Sequence, residues 1–117
     1  MNIRIITKSL EMTTAISDYI QKKVISIERL LKNTPPETII DIEVGKDAKH
    51  RKGQGFRAEI SIKLADRRLY AVAVEGDLYA AIDKVKDEII SELKKNKSKK
   101  IDIKRRQDSK QKRQLKS

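Results

Sequence analysis

Cysteine is absent from the 117 residues, and histidine occurs once. The chain therefore has no disulfide, no thiolate nucleophile and no cysteine ligand for a metal. A chain without cysteine is compatible with a reducing compartment. Aromatic side chains are scarce: three Tyr, one Phe and no Trp. Were nucleic acid a partner, few bases could be stacked, and contacts to backbone and shape would have to dominate. No apolar run approaches the roughly 20 residues that cross a bilayer. The start, Met1-Asn2-Ile3-Arg4, lacks a signal-peptide pattern. The expectation is a soluble, cytoplasmic protein without a membrane partner.

What the chain has in excess is positive charge, and it is unevenly placed. The formal net charge is +11. Residues 94–117 hold twelve Lys or Arg, among them Lys94, Lys95 and Lys97, against Asp102 and Asp108. That segment carries about +10, and the preceding residues are nearly neutral. Such lopsidedness points to an anionic partner. A membrane surface is disfavoured, because the segment has no apolar face. Hydrophobic residues make up 38% of the chain, enough for one core, so the length fits one domain with an appendage. The division expected is a domain over 1–97 and a basic segment over 98–117, disordered in the free protein or a frayed extension of the last helix.

The pattern along the chain gives the elements. Residues Ile3 to Thr7 read as a strand. Thr13 or Thr14 can cap a helix, after which Ile16, Ile20, Val24, Ile27 and Leu31 recur at helical spacing. The periodicity ends near Asn33, and Pro35-Pro36 forbids continuation. Ile40, Ile42 and Val44 alternate with Asp41 and Glu43, then Ala58, Ile60, Ile62 and Leu64 with Glu59, Ser61 and Lys63, and Leu69–Val74 is a third β-rich run. Asp77 is placed to cap a second helix whose stripe is Leu78, Ile82, Val85, Ile89 and Leu93. The order β-α-β-β-β-α predicts an α+β two-layer sandwich, a four-stranded sheet with two helices on one face.

Little in the sequence points to catalysis. His50 stands in a basic loop, where its charged form is disfavoured. Asp41 and Glu43 share a strand face, and a solvated face explains them better than acid–base work. Gly53-Gln54-Gly55 is too short for a phosphate loop, and no metal-ligand spacing occurs. The expectation is a protein that is not an enzyme, with no catalytic residue, metal, cofactor or small-molecule substrate. The remaining candidates are basic: Lys22, Lys23, Arg29 and Lys32 on the first helix, and Lys84, Lys94, Lys95 and Lys97 on the second. Lys22 and Arg29 lie on one side of their helix, away from its apolar stripe, and Lys84 and Lys95 are nearly eclipsed. Taken singly, each is an ordinary solvated lysine or arginine. Two helices on one sheet face would bring these cations together in one strip suited to phosphates, with Glu88 and Glu92 interrupting it.

Two stretches carry a resemblance. Asp77-Leu78-Tyr79-Ala80-Ala81-Ile82-Asp83 opens the last helix after a hairpin, and Ile5 to Ile16 contains Lys-Ser-Leu-Glu-Met-Thr. Together with Lys22-Lys23 and Glu28-Arg29, they resemble the ribosome hibernation-promoting factors, also called ribosome-associated inhibitors, over residues 1 to about 97. The resemblance implies a fold like the double-stranded RNA-binding domain. It implies binding to the small ribosomal subunit and its rRNA near the decoding channel, occlusion of messenger and transfer RNA, and hibernation under stress or in stationary phase. Carried over, the rRNA contacts are Lys22, Lys23, Arg29, Lys95 and Lys97. The chain departs from the family pattern at Ser26, Glu88 and Ser91, where basic residues are usual. Ser98–Ser117 resembles the start of a basic linker. A short form with an extension and a piece of a long, self-associating form both fit it. Two other readings stay open: a general RNA-binding module, and a protein-interaction regulator of transcription that uses an acidic sheet face.

Overall fold

A computed structural model describes residues 1–32, 34–47 and 55–95. His50, Lys97 and the segment 98–117 lie outside the described residues. Four strands, β1 (Asn2–Lys8), β2 (Ile39–Asp47), β3 (Gly55–Lys63) and β4 (Arg68–Glu75), form one sheet in the order β1-β2-β3-β4. β1 lies parallel to β2, and the other pairs are antiparallel. Helix α1 (Thr14–Leu30) connects the parallel pair, and α2 spans 78–95. The architecture is α+β, as the alternation predicts.

Local chemistry sets the helix ends. The Thr13 hydroxyl accepts from the Ile16 N–H at 3.1 Å, and the Asp77 carboxylate accepts from the Ala80 N–H at 3.0 Å. Each satisfies a backbone donor that the first turn leaves without a partner. α1 stops at Leu30, with Leu31 as its C-cap. This is just before the Thr34 N–H turns back to the Leu31 carbonyl, so the chain leaves the helix ahead of Pro35-Pro36.

One apolar layer joins all elements. Ile16, Ile20, Val24, Ile27 and Leu31 of α1, and Leu78, Ile82, Val85, Ile89 and Leu93 of α2, are buried in the same cluster. There they meet Ile40, Ile42 and Val44 of β2, Ala58, Ile60 and Ile62 of β3, and Leu69, Ala71 and Ala73 of β4. Both helices therefore cover one face of the sheet. The register puts Ile40 against Ile62 and Ile42 against Ile60, so the period-two pattern sends these side chains, with Val44 and Ala58, inward. Gly45 is needed where β1 comes close: a Cβ there would strike the Lys8 carbonyl.

The topology gives the domain two distinct ends. β1 and β2 begin at one end, where Asn2 pairs with Ile39, and β3 ends and β4 begins there, where Lys63 pairs with Arg68. α1 returns to this end before β2 starts. α2, about 27 Å long at 1.5 Å per residue, runs back along the sheet from the far end of β4 to the same place. The C-termini of both helices and the β3–β4 turn thus share one end.

Candidate cationic helix surface

The two helices run in the same direction and are locked along their seam. Tyr19 and Tyr79 meet edge to face with centroids 4.8 Å apart. The Tyr19 hydroxyl donates to Asp83 Oδ1 at 2.7 Å. Lys23 Nζ reaches the same oxygen at 3.1 Å and lies 4.8 Å from the centre of the Tyr19 ring, a cation–π contact. The hydrogen bond from Tyr19 holds the Asp83 carboxyl below the ordinary carboxylate range, with Lys23 adding to the effect. The same contacts push Lys23 and Tyr19 up, the bond to Asp83 being the largest cause for each.

A group whose folded pKa is depressed stabilises the fold above its unfolded pKa. That contribution is lost as pH falls through the folded value. Asp83→Asn should therefore lower stability above about pH 5 and flatten the acid limb of the stability–pH curve, its difference from the wild type closing as pH falls, as measured by urea unfolding at stepped pH. An unchanged acid limb would remove Asp83 from the lock.

The eight basic candidates separate by position. Lys22 and Arg29 are exposed on the outward side of α1, Lys32 is exposed in the turn after it rather than on the helix, and none has an ion pair among the described residues. Lys94 is exposed and likewise without an ion pair. Eleven residues beyond Asp83, it returns to the α1 side of α2 at about 100° per residue. Lys23 is half-buried in the seam with Asp83. Lys84 pairs with Glu75 of β4 at 3.2 Å, and Lys95 lies 3.8 Å from Glu92. Lys84 and Lys95 thus take the flank of α2 away from α1.

The single strip expected along both helices is accordingly divided. The reason is the angle between stripes, which the sequence of one helix does not contain: Tyr79 and Asp83 face α1, so residues about 100–120° further round face the β4 edge. What remains along the outer side is Lys22 and Arg29, with Lys32 and Lys94 toward the helix C-termini.

The seam residues Tyr19, Tyr79 and Asp83 were not among the candidates. Their i, i+4 spacing, Tyr19 with Lys23 and Tyr79 with Asp83, is visible in the sequence, but only packing joins the two pairs.

The opposite, outward face of the sheet carries a charge ladder. Arg4 donates from Nε and a terminal nitrogen to the two Asp41 oxygens, at 2.6 and 3.0 Å. Lys8 reaches Glu43 at 2.8 Å, Arg57 pairs with Glu59, and the Tyr70 hydroxyl donates to Glu59 at 3.0 Å. Asp41 and Glu43 are thus neutralised by their β1 neighbours, and the acidic face that the protein-interaction reading needs is not acidic. Among the described residues, no group of three or more His, Asp or Glu gathers to hold a metal, and no helix is long and apolar enough to cross a membrane.

Two parallel helices cover one face of a four-stranded sheet, with cations unpaired among the described residues along the helical side, in a small α+β domain. The chain belongs to the Sigma 54 modulation protein / S30EA ribosomal protein family, whose model matches residues 3–101. It is 25% identical over 99 residues to the ribosome hibernation promotion factor of Bacillus subtilis (strain 168), covering 85% of this chain and 50% of that protein. It is 28% identical over 103 residues to the ribosome hibernation promoting factor of Azotobacter vinelandii, covering 87% and 88%. The chain thus spans half the length of the first relative and most of the second. Among solved structures, the Thermus thermophilus Protein Y N-terminal domain superposes with a TM-score of 0.63 at 32% identity, over 81% of this chain and 98% of that one. A ribosomal subunit interface protein from Coxiella burnetii has the same fold, with a TM-score of 0.63 at 20% identity over 84% and 99%.

Proposed function

We propose that this chain is a cytoplasmic, ribosome-associated translation inhibitor. In this reading it binds small-subunit rRNA near the decoding channel, blocks messenger and transfer RNA there, and promotes ribosome hibernation under stress or in stationary phase. Family membership and the hibernation factors among its relatives support the ribosome as partner. The observation that carries the RNA contact is the pair Lys22 and Arg29: both are exposed on one side of α1, and neither is neutralised by an acid among the described residues. Phosphates ask for point charges at helix spacing and little else. The mechanism is occlusion: the domain fills space and makes no bond. Lys32 and Lys94 extend the contact toward the helix C-termini. Lys23, Lys84 and Lys95 are secondary, because each must leave or share an acidic partner. Lys97 and the basic segment beyond it add long-range attraction that falls with salt.

A sucrose gradient of ribosomes with and without the protein tests this. The protein is expected in the small-subunit and whole-ribosome fractions, and excess messenger or initiator transfer RNA should displace it. Recovery only at the top of the gradient would end the reading. Binding that neither RNA displaces would favour a general RNA-binding module.

A further inference from the structure

We infer that Lys63 and Arg68, at the β3–β4 turn, form a second phosphate-binding site on this domain, one that carries the RNA surface from the helix ends around onto the sheet. This rests on the RNA-binding reading above and adds to it a site away from the helices.

Three observations lead there. The first is placement. Lys63 and Arg68 are cross-strand partners at the end of the sheet to which both helices return with Arg29, Lys32, Lys94 and Lys95. The second is a contrast in pairing. On the same outward sheet face, Arg4, Lys8 and Arg57 are each held by Asp41, Glu43 or Glu59. Lys63 and Arg68 are exposed and have no ion pair among the described residues. Arg68 donates from Nε to the Ser61 hydroxyl at 2.9 Å. That neutral partner orients the guanidinium without cancelling its charge. The acid at the turn, Asp66, is met by Arg67 at 3.8 Å.

The third observation is energetic. Like charges directly opposite each other on adjacent strands destabilise a sheet. The cations at the helix C-termini are favoured by the helix dipoles, and a structural role is enough to account for them. No such field supports Lys63 beside Arg68. An anion between them would turn the repulsion into a binding term, and RNA phosphate is the anion that the RNA-binding reading supplies.

The test is the salt dependence of binding to purified small ribosomal subunits, measured on the full chain. For Lys63→Ala/Arg68→Ala, the slope of log affinity against log salt is expected to become shallower by about one, the share of a single phosphate. Lys63→Glu/Arg68→Glu should weaken binding at least about 10-fold at physiological salt. The alanine pair relieves repulsion, so its melting temperature should hold or rise, which separates lost contact from lost fold. Lys46→Ala, an exposed lysine at the opposite end of the sheet, should leave the slope unchanged. An unaltered slope in the alanine pair, or an equal loss per residue from Lys46→Ala, would overturn the site. If the wild-type chain binds subunits through Lys22 and Arg29 but ignores Lys63 and Arg68, only this inference fails. If the wild-type chain does not bind subunits at all, the functional reading fails with it.

Discussion

Replacing Lys22 and Arg29 together by Glu should abolish co-sedimentation with small subunits at physiological salt, with an affinity loss on the order of 100-fold or more. Both side chains are exposed and make no ion pair among the described residues, so the fold favours their charge only through the helix dipole at Arg29, in the last turn of α1. Exposed substitutions of this kind shift stability by about 0.5 kcal/mol or less, and the melting temperature should stay within a few degrees. In the proposed reading two favourable phosphate contacts become two repulsions in the same place, which is why the effect on binding is large. Lys23 is left out of the variant for a physical reason. Its ammonium is bound to Asp83 at 3.1 Å, and a glutamate there would set two carboxylates against each other across the seam. A loss caused by Lys23→Glu could then come from the helices separating. Retained co-sedimentation of the Lys22/Arg29 double variant, with its fold intact by circular dichroism, would show that α1 does not face rRNA.

The largest effect on stability is expected from Ile89→Ala. Ile89 has 0% of its surface exposed, and it belongs to the cluster that ties α2 to β2, β3 and β4. Truncating a fully buried Ile costs about 2–5 kcal/mol, the transfer of its methyl groups plus the void left behind. Domains of this size are stable by about 5–15 kcal/mol in total, and each kcal/mol is worth roughly 4–8 °C. A fall in melting temperature of at least about 10 °C follows. Ile27→Ala, also at 0% exposure but on α1, should act similarly, since both helices close one layer. A cost below about 1 kcal/mol for either would mean that the layer repacks freely, contrary to a single close-packed core.

Particular residues show how far the sequence could be read. Ile16, Ile20, Val24, Ile27 and Leu31 form a stripe at helical spacing, and all five are buried. The alternation of Ile40, Ile42 and Val44 with Asp41 and Glu43 places the first set inward and the second outward, in the register observed. Thr13 and Asp77 cap the helices where capping chemistry puts them. The surface was less legible. Lys84 and Lys95 look equivalent to Lys22 and Arg29 in a list of basic residues, yet Lys84 turns to Glu75, 3.2 Å away. Asp41 and Glu43 read as an acidic pair, yet Arg4 and Lys8 of a strand far away in sequence neutralise them. Nothing near Lys63 or Arg68 in the chain marks them, because their neighbourhood with the helix C-termini arises from four separate chain reversals.

The sequence alone determined the elements, their order, the buried faces and the excess of positive charge. Each of these depends on spacing within a segment, and periods of 2 and 3.6 residues express it directly. Tertiary structure alone decided which cations stay free, because pairing depends on what another segment brings within about 4 Å. It also decided that two helices and a hairpin turn present their charges at the same end, since the direction of each element is set by how the sheet closes over its shared apolar layer.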